Sequence, residues 1–222
     1  SASINSNKIK NKSIFVGIKG KKYDGNKFGN SALRNGALLS ITNKKKHNPK
    51  IIFRKDPLKF FHKISSMFRK SSDTNIISIT GSSGKTSVKE LTGFCLNKFG
   101  KIYFSKKSFN NKYGVPLSIF NTPEQSKFAV LEVGMNKKGE INSLTKLIRP
   151  DIGLITNISY AHIQNFKNLN QIAEAKGEII NNITPNGTMI INMDDKYYKY
   201  FLKKTTQNGL KSVTFSTKKT KA

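Results

Sequence analysis

The fold of this chain is decided by one stretch of its sequence, Ile76-Ile77-Ser78-Ile79-Thr80-Gly81-Ser82-Ser83-Gly84-Lys85-Thr86. The apolar start predicts a buried strand, and the residues from Lys85 to Phe99 have the pattern of a helix. A strand, a glycine-rich loop and a helix in this order are typical of a phosphate-binding loop, because backbone N–H groups and the helix N-terminus converge on phosphate oxygens. We expect Lys85 to reach the terminal phosphates and the Thr86 hydroxyl to bind magnesium.

The spacing of the loop differs from the general phosphate-loop pattern. That pattern has four residues between its first glycine and the Gly-Lys-Thr triplet, but Ile79 holds the position of that glycine and the first glycine here is Gly81. An ordinary Gly-Ser turn leading into a helix is the competing interpretation, and the strand–loop–helix context favours the phosphate loop. We therefore predict that the nucleotide is bound by Gly81, Ser82, Ser83, Gly84, Lys85 and Thr86.

Strand and helix patterns alternate after this loop, which predicts an α/β fold with a mostly parallel sheet flanked by helices. The segment before it has short strands and a helical pattern from Leu58 to Phe68, which predicts a small α/β domain. The polar run from Ser71 to Asn75 predicts the boundary, so we divide the chain into domains 1–72 and 73–222. Because the chain ends soon after one weak strand, we expect the second sheet to be incomplete.

The composition indicates a packed core and a high positive charge. The chain has 222 residues, of which 36% are hydrophobic, and a net charge of +28 at pH 7. A polyanion partner such as nucleic acid is one interpretation of that charge. We favour compositional drift, because the basic residues are nearly all lysines scattered over every segment, whereas nucleic-acid interfaces favour arginine. We therefore expect no obligatory nucleic-acid partner.

The sequence also bears on the compartment. No segment approaches the roughly 18 to 20 apolar residues that a membrane span needs, and no secretion signal is visible near Ser1. The single cysteine, Cys95, excludes an internal disulfide and fits a reducing compartment. It lies in the helix predicted after the loop, where we expect it to be buried against the sheet. We expect a cytoplasmic protein whose true start lies upstream of Ser1.

Two polar side chains follow apolar runs that we interpret as strands. Glu132 ends the run that begins at Phe128, and His162 follows the run from Ile152 to Ile158. The carboxyl ends of parallel strands meet at one edge of a sheet, so both residues are expected beside Lys85. An acid at that edge suits magnesium binding or the orientation of water. Taken alone, each has an ordinary interpretation as a solvent-facing acid or a structural histidine, and the shared edge favours a functional site.

Six motifs in the right order resemble the Mur ligases, and within them the members that add a D-alanyl-D-alanine dipeptide. They are Thr80 to Glu90; Asn110 to Leu117; Glu132 to Asn136 with Gly139 to Ile141; Arg149 to Asp151; Thr156 to Ile158 with Ala161 and His162; and Ala175 to Glu178. The run from Ile14 to Gly20, with Asp24 and Gly25, is similar to the uridine-nucleotide-binding domain of the family. Folyl-polyglutamate synthases share the central domain but lack this type of first domain.

The resemblance implies roles for residues around the loop. It adds Ser87 and one of Asn110 and Asn111 to the nucleotide contacts, without deciding between the two asparagines. It makes Thr86 and Glu132 ligands of the ATP-linked magnesium ion. His162 matches a ligand of a second magnesium ion, and Lys176 matches a lysine that is carbamylated near it. Lys85, His162 and Lys176 are therefore the implied catalytic residues.

In the first domain, the resemblance implies that Ser6, Lys19 and Asp24 contact the uridine-linked substrate. The family usually carries an Asp-Ser-Arg turn where this chain has Asn5-Ser6-Asn7, so only the serine is retained. Residues 1–72 would then bind the UDP-substrate, and residues 73–222 would form a truncated ATP-binding central domain. The family continues into a third domain that closes over ATP, so we expect the isolated chain to bind nucleotide weakly and to turn over poorly.

The reaction implied is an ATP-dependent ligation in peptidoglycan synthesis. It would join D-alanyl-D-alanine to UDP-N-acetylmuramoyl-tripeptide through an acyl phosphate, with ATP and one or two magnesium ions, in a monomeric protein. Three alternatives stay open: a Mur-type ligase that adds the third peptide residue, a truncated non-catalytic member, and a basic nucleic-acid-binding module with an incidental phosphate loop.

Overall fold

A computed structural model of the chain describes residues 1–20, 23–45, 47–106, 109–161 and 163–218. The chain forms two compact units, one of Ser1–Ser71 with Ile119–Asn121 and one of Ser72–Ser118 with Thr122–Ala222. The division into functional domains at 1–72 and 73–222 stays a prediction, and the two units are described here separately.

The first unit is a small α/β layer built on four parallel strands in the order β1-β2-β3-β4. Its elements are β1 (Ala2–Ser3), β2 (Ser13–Val16), α1 (Gly29–Arg34), β3 (Ala37–Thr42), β4 (Ile51–Phe53) and α2 (Pro57–Lys70). Phe15, Ala32 and Ala37 form a buried apolar cluster between strands and helix. Helix α2 begins at Pro57, one residue before the predicted start, where the Asp56 carboxylate accepts the Lys59 N–H at 2.9 Å and a proline occupies the first turn.

The second unit is a six-stranded sheet with helices between successive strands. Its elements are β5 (Asn75–Thr80), α3 (Lys85–Leu96), β6 (Ile102–Phe104), α4 (Gly114–Phe120, of which the part up to Ser118 belongs to this unit), β7 (Phe128–Glu132), α5 (Glu140–Ile148), β8 (Ile152–Ile155), α6 (Leu169–Lys176), β9 (Thr188–Asn192), α7 (Tyr198–Gln207) and β10 (Lys211–Phe215). The strand order is β10-β9-β8-β5-β7-β6, and every neighbouring pair is parallel. The predicted fold class is therefore confirmed.

The strand order fixes where a ligand can bind. The chain leaves β5 for the edge strand β6, returns through β7, and then crosses to β8 on the other side of β5. Ligands of open parallel sheets bind outside the carboxyl ends of the strands at such a reversal of direction. The register places Glu132 of β7 opposite Ile79 of β5, and Ile155 of β8 opposite Thr80. The ends of β5, β7 and β8 therefore surround the glycine-rich loop.

The prediction for Cys95 is wrong, because its side chain is exposed. Helix α3 turns Lys89 and Gly93 into the interior, and Leu91 and Phe94 lie on its outer side with Cys95. The α-helix also ends earlier than predicted, at Leu96. A single 3₁₀ turn, Asn97–Phe99, follows it.

Other boundaries differ by small amounts. Strand β8 ends at Ile155 rather than Ile158, and the helix predicted from Leu169 to Ile183 divides into α6 and a 3₁₀ segment, Gly177–Asn182. Helices α4 and α7 were not predicted. None of the helices formed by the described residues is long and apolar enough to cross a membrane.

Candidate nucleotide- and metal-binding site

The loop between β5 and α3 has the backbone that a phosphate site needs. Gly81 and Gly84 adopt positive φ angles of +148° and +77°, which favour glycine. Gly84 is the N-cap of α3 and supplies no capping side chain, so the first turn of the helix presents its N–H groups at this edge of the sheet. The Lys85 ammonium lies over the loop and donates to the carbonyl oxygens of Gly81 and Ser82, at 2.9 and 3.4 Å.

The segment that follows β8 holds the loop in place. The backbone carbonyl oxygen of Asn157 accepts the Ser82 N–H at 2.9 Å. Its side-chain oxygen accepts the Ser83 N–H at 3.1 Å. The Ser82 hydroxyl donates to the Ser159 carbonyl oxygen at 3.0 Å and accepts the Ser159 N–H at 2.8 Å. The Thr156 hydroxyl donates to the Ser83 carbonyl oxygen at 2.6 Å. Because two loop N–H groups already have partners, nucleotide contacts from Ser82 and Ser83 stay a prediction.

Gly81 is required by the space around it as well as by its backbone. A Cβ atom at this position would lie 1.8 Å from the Thr156 hydroxyl oxygen and 3.0 Å from the Thr156 backbone nitrogen. At Gly84, by contrast, a Cβ would meet no heavy atom within 4 Å. The shorter loop therefore depends on a direct approach of Gly81 to the neighbouring strand end.

Glu132 joins two of the predicted site residues. It is the last residue of β7, and its side chain is almost fully buried, with 2% of the residue exposed. Its Oε2 accepts the Thr86 hydroxyl at 2.7 Å, and its Oε1 accepts the Asn110 side-chain N–H at 2.7 Å. Burial lowers the pKa of Lys85, and the nearby Glu132 carboxylate opposes that shift. The predicted metal residues Thr86 and Glu132 are thus brought together beside Lys85.

These oxygens suit a magnesium ion. A buried carboxylate and an adjacent hydroxyl at the start of the helix are hard oxygen ligands, and magnesium in nucleotide sites is held by one or two such groups together with phosphate oxygens and water. Among the residues that the structure describes, no group of three or more His, Cys, Asp or Glu side chains surrounds a common point. A site made by Thr86, Glu132 and a nucleotide needs no such group.

The two candidate asparagines have different contacts. Asn110 donates its side-chain N–H to Glu132, and its carbonyl oxygen accepts the Gly134 N–H at 2.8 Å. A Cβ at Gly134 would come within 2.9 Å of Asn110, so a glycine is needed for this approach. The Asn111 side chain turns away and accepts the N–H groups of Tyr113 and Gly114, as a cap for α4. The geometry therefore favours Asn110 as the site residue.

Lys176 lies against the glycine-rich loop. It is the last residue of α6 and only 2% exposed, and its ammonium donates to the Gly81 carbonyl oxygen at 2.8 Å. Burial lowers its pKa to about 7, and the positive charge of Lys85 adds to the shift. A large fraction of Lys176 is therefore a neutral amine near neutral pH. Glu178, two residues later, accepts the Gly139 and Asn142 N–H groups at 2.7 and 3.0 Å and so ties this segment to the start of α5.

The remaining predicted site residues have no described contact with the glycine-rich loop. His162 lies outside the described residues, and Ser87 is exposed in the first turn of α3. In the first unit, Lys19 and Asp24 face each other across an isolated antiparallel bridge. Oδ1 of Asp24 accepts both the backbone and side-chain N–H of Asn26, and the side-chain bond is the largest cause of its lowered pKa. Ser6 lies in a 3₁₀ turn, where its carbonyl oxygen accepts from Asn35.

The sequence interpretation missed the residues that support the loop from β9. Asp195 accepts the Ile158 N–H at 2.7 Å, and Asn192 donates to the Thr156 carbonyl oxygen at 3.1 Å. Both residues lie at or just after the end of β9 and fix the segment that holds Ser82 and Ser83. Asp195 follows a parallel strand much as Glu132 ends one, so the same rule of strand ends would have identified it.

Comparisons with known proteins agree with this arrangement. A family model described as the Mur ligase middle domain matches residues 79–222. The chain is 36% identical over 210 residues to the UDP-N-acetylmuramoyl-tripeptide–D-alanyl-D-alanine ligase of Buchnera aphidicola from Acyrthosiphon pisum, covering 94% of this chain and 46% of the relative. It is 34% identical over 184 residues to the ligase of the same name from Escherichia coli K12, covering 82% of this chain and 40% of that protein.

Solved structures give the same picture. MurF from Acinetobacter baumannii superposes with a TM-score of 0.87 at 25% identity, over 96% of this chain and 47% of that one. The MurF ligase from Thermotoga maritima in complex with ADP superposes with a TM-score of 0.82 at 28% identity, over 97% of this chain and 50% of that one. The chain spans about half the length of the curated relatives it matches.

Proposed function

We propose a function from one established premise, which is that this chain belongs to the Mur ligase family. The chain carries the phosphate site of an ATP-dependent ligase that joins D-alanyl-D-alanine to UDP-N-acetylmuramoyl-tripeptide. The observation that carries the proposal is the contact of Thr86 with the buried Glu132 at 2.7 Å, beside Lys85 at the start of a phosphate-loop helix. The names of the relatives, each a ligase of this kind, support the choice of substrates.

The proposed reaction has two steps, phosphoryl transfer to the tripeptide and amide formation. An oxygen of the terminal tripeptide carboxylate attacks the γ-phosphorus of ATP, so that an acyl phosphate forms and ADP leaves. The amine of D-alanyl-D-alanine then attacks the acyl carbon, loses a proton, and the tetrahedral intermediate collapses to an amide and inorganic phosphate. Lys85 and the N–H groups at the start of α3 stabilise negative charge on the transferring group. Magnesium, bound by Thr86 and Glu132, would neutralise charge on the phosphates.

Lys176 is proposed to be carbamylated. A neutral amine attacks the carbon of CO₂ and releases one proton, which leaves a carbamate with a negative charge. The lowered pKa of Lys176 supports this step, because only the neutral amine reacts. The carbamate would be an extra carboxylate beside a second magnesium ion, for which His162 is the proposed ligand from the family resemblance.

The first unit is proposed to bind the uridine part of the substrate. Ser6, Lys19 and Asp24 are the proposed contacts, and the facing positions of Lys19 and Asp24 support their belonging to one site. We also propose that the protein is a cytoplasmic monomer, because ATP and UDP-linked precursors are used in that compartment and the two units need no second copy to form their sheets.

The test uses the protein expressed from its complete reading frame. It is given ATP, magnesium, D-alanyl-D-alanine and UDP-N-acetylmuramoyl-tripeptide with ¹⁸O in the terminal carboxylate. We expect the ligated product together with phosphate that contains one ¹⁸O atom, since an acyl phosphate transfers that oxygen. Product without ¹⁸O in the phosphate would exclude the acyl phosphate.

Each alternative has its own outcome in a parallel experiment on the same protein. Consumption of UDP-N-acetylmuramoyl-dipeptide and a free amino acid would instead identify a ligase that adds the third residue. ADP binding without any ligation would indicate a non-catalytic member of the family. Tight DNA or RNA binding that weakens steeply with salt, in the absence of ligation, would support the nucleic-acid module.

A further inference from the structure

Lys89 is a fully buried cation that the proposed reaction does not use. It lies on α3, four residues after Lys85, and its exposed fraction is 0%. Its ammonium donates to the Ser105 carbonyl oxygen at 2.6 Å and lies 2.9 Å from a Glu90 carboxylate oxygen. A lysine is almost never fully buried unless it is paired, so this position requires an explanation.

The acceptor of this bond lies on the path to the candidate metal site. Ser105 directly follows β6, is itself fully buried, and extends the ladder to β7 by donating its N–H to the Val130 carbonyl oxygen at 3.0 Å. Its hydroxyl accepts the Glu132 N–H at 3.4 Å. The Glu132 carboxylate in turn accepts from Asn110 and from the Thr86 hydroxyl. Ser105 therefore connects Lys89 to the backbone of Glu132.

The donor of this bond shares a helix with the other metal residue. Thr86 and Lys89 are three residues apart on α3, which places them on neighbouring positions of one helix face. Thr86 contacts Glu132 at the end of β7, and Lys89 contacts Ser105 at the end of β6. The two side chains therefore fasten the same helix to two adjacent strand ends.

We propose that Lys89 is a positioning residue for the magnesium site, which holds Ser105 so that Asn110 and Glu132 meet the Thr86 hydroxyl. Without that bond, Ser105 would be free to shift and the Glu132 N–H would lose its acceptor on the Ser105 hydroxyl. The inference rests on the proposed function in one respect, that the site binds a magnesium nucleotide. It does not depend on which carboxylate the ligase activates.

The experiment measures ADP binding by calorimetry with the protein from its complete reading frame, once with magnesium chloride and once with EDTA. ADP affinity in EDTA reports the phosphate loop alone, and the gain on adding magnesium reports the metal site. In Lys89→Met, whose side chain has a similar length, we expect the gain to fall about tenfold, as is usual when a residue that orients metal ligands is lost. ADP affinity in EDTA should stay within about twofold of the wild-type value.

A matched control separates Ser105 from Glu90 as partners of Lys89. Glu90→Gln removes the charge beside Lys89 and leaves the bond to Ser105, and it should bind ADP like the wild type under both conditions. The double variant Lys89→Met with Asn110→Ala should lose little more of the magnesium gain than Asn110→Ala alone, because both changes act on one path. Additive losses would contradict the proposal, as would an equal loss of affinity with and without magnesium.

A second variant keeps the test decisive if Lys89→Met does not fold. Ser105→Ala removes the hydroxyl that accepts from Glu132 and should lower the magnesium gain by a smaller factor, about threefold. An unchanged gain in Ser105→Ala would then overturn the proposal. A wild-type protein that binds ADP with a magnesium gain but ligates no substrate would refute the proposed function and leave the role of Lys89 standing.

Discussion

The side-chain nitrogens of Lys85 and Lys176 donate to the same atom, the carbonyl oxygen of Gly81, at 2.9 and 2.8 Å. Two lysines from different helices therefore converge on the first residue of the phosphate loop. One partly exposed ammonium and one buried amine can share an acceptor at lower cost than two full charges. This arrangement explains why the pKa of Lys176 is lowered by burial first and by Lys85 second.

The first prediction concerns the pH dependence of stability. The pKa of Lys176 is about 7 in the folded protein, against an ordinary value of 10.5, so the unfolded chain binds more protons between these pH values. Between pH 7 and about pH 10, the free energy of unfolding should therefore rise by about 4 kcal/mol. Denaturation in CO₂-free buffer should show this rise in the wild type and lose it in Lys176→Met. Parallel curves for the two proteins would contradict the assigned burial.

The second prediction concerns the carbamate on Lys176. With ¹³C-labelled bicarbonate, the protein should show one carbamate carbon signal at pH 8, where most of this amine is neutral. The signal should weaken below pH 7 and be absent in Lys176→Met. A matched control is Lys204→Met, because burial also lowers the pKa of Lys204 but this lysine lies on α7, away from the loop. Persistence of the signal in Lys176→Met would show that another amine reacts.

The third prediction compares two glycines of one loop. Gly81→Ala would bring a Cβ to 1.8 Å from the Thr156 hydroxyl and also strain a positive φ. We expect a loss of about 3 kcal/mol or more in unfolding free energy, together with loss of ADP binding. Gly84→Ala meets no atom within 4 Å, so only its φ of +77° is strained, at about 1 to 2 kcal/mol. Equal effects in thermal melts of the two variants would contradict the steric argument.

Local pattern was enough to predict the centre of this site. The strand, loop and helix from Ile76 onward depend on adjacent residues, and Glu132 is placed by the length of its own strand. The rule of strand ends also brings Asn157 and Asp195 to this edge, but their partners could not be predicted, because those depend on β8 and β9 following β5 in the sheet order. Strand order is set by contacts between residues far apart in sequence, so it leaves no local signal.

The same limit explains the wrong prediction for Cys95. Helix α3 carries a lysine and a glycine on its buried face, while Leu91 and Phe94 are 64% and 75% exposed. Hydrophobic periodicity assumes the opposite distribution, so it selected the wrong face. Lys89 can lie on the buried face because its ammonium donates to the Ser105 carbonyl oxygen. Ser105 comes next to α3 only in the folded sheet.

The fourth prediction distinguishes the adjacent asparagines. Asn110→Ala removes a donor to Glu132, and we expect the magnesium-dependent part of ADP affinity to fall about tenfold while ADP affinity in EDTA is unchanged. Asn111→Ala removes the acceptor for two N–H groups at the start of α4, and should lower the unfolding free energy by about 1 kcal/mol with ADP affinity unchanged. Asn111→Asp retains that acceptor and should restore stability. A reversal of these two phenotypes would assign the site to Asn111.

The fifth prediction uses the neighbouring aspartates after β9. Asp195 accepts the Ile158 N–H at 2.7 Å, whereas Asp194 accepts from Ser216 and Thr217 beyond β10. Asp195→Ala removes this acceptor from the segment that binds Ser82 and Ser83. We expect the unfolding free energy to fall by about 1 to 2 kcal/mol.

Because the phosphate loop depends on that segment, ADP affinity should fall about 3- to 10-fold in Asp195→Ala. Asp195→Asn keeps an oxygen acceptor and should show a smaller loss. Asp194→Ala should bind ADP like the wild type in calorimetry, since the contacts of Asp194 lie just beyond the edge strand β10. If Asp194→Ala weakened ADP binding as much as Asp195→Ala, the effect would come from general loosening of the sheet edge, and the path from β9 through Ile158 to the loop would be refuted.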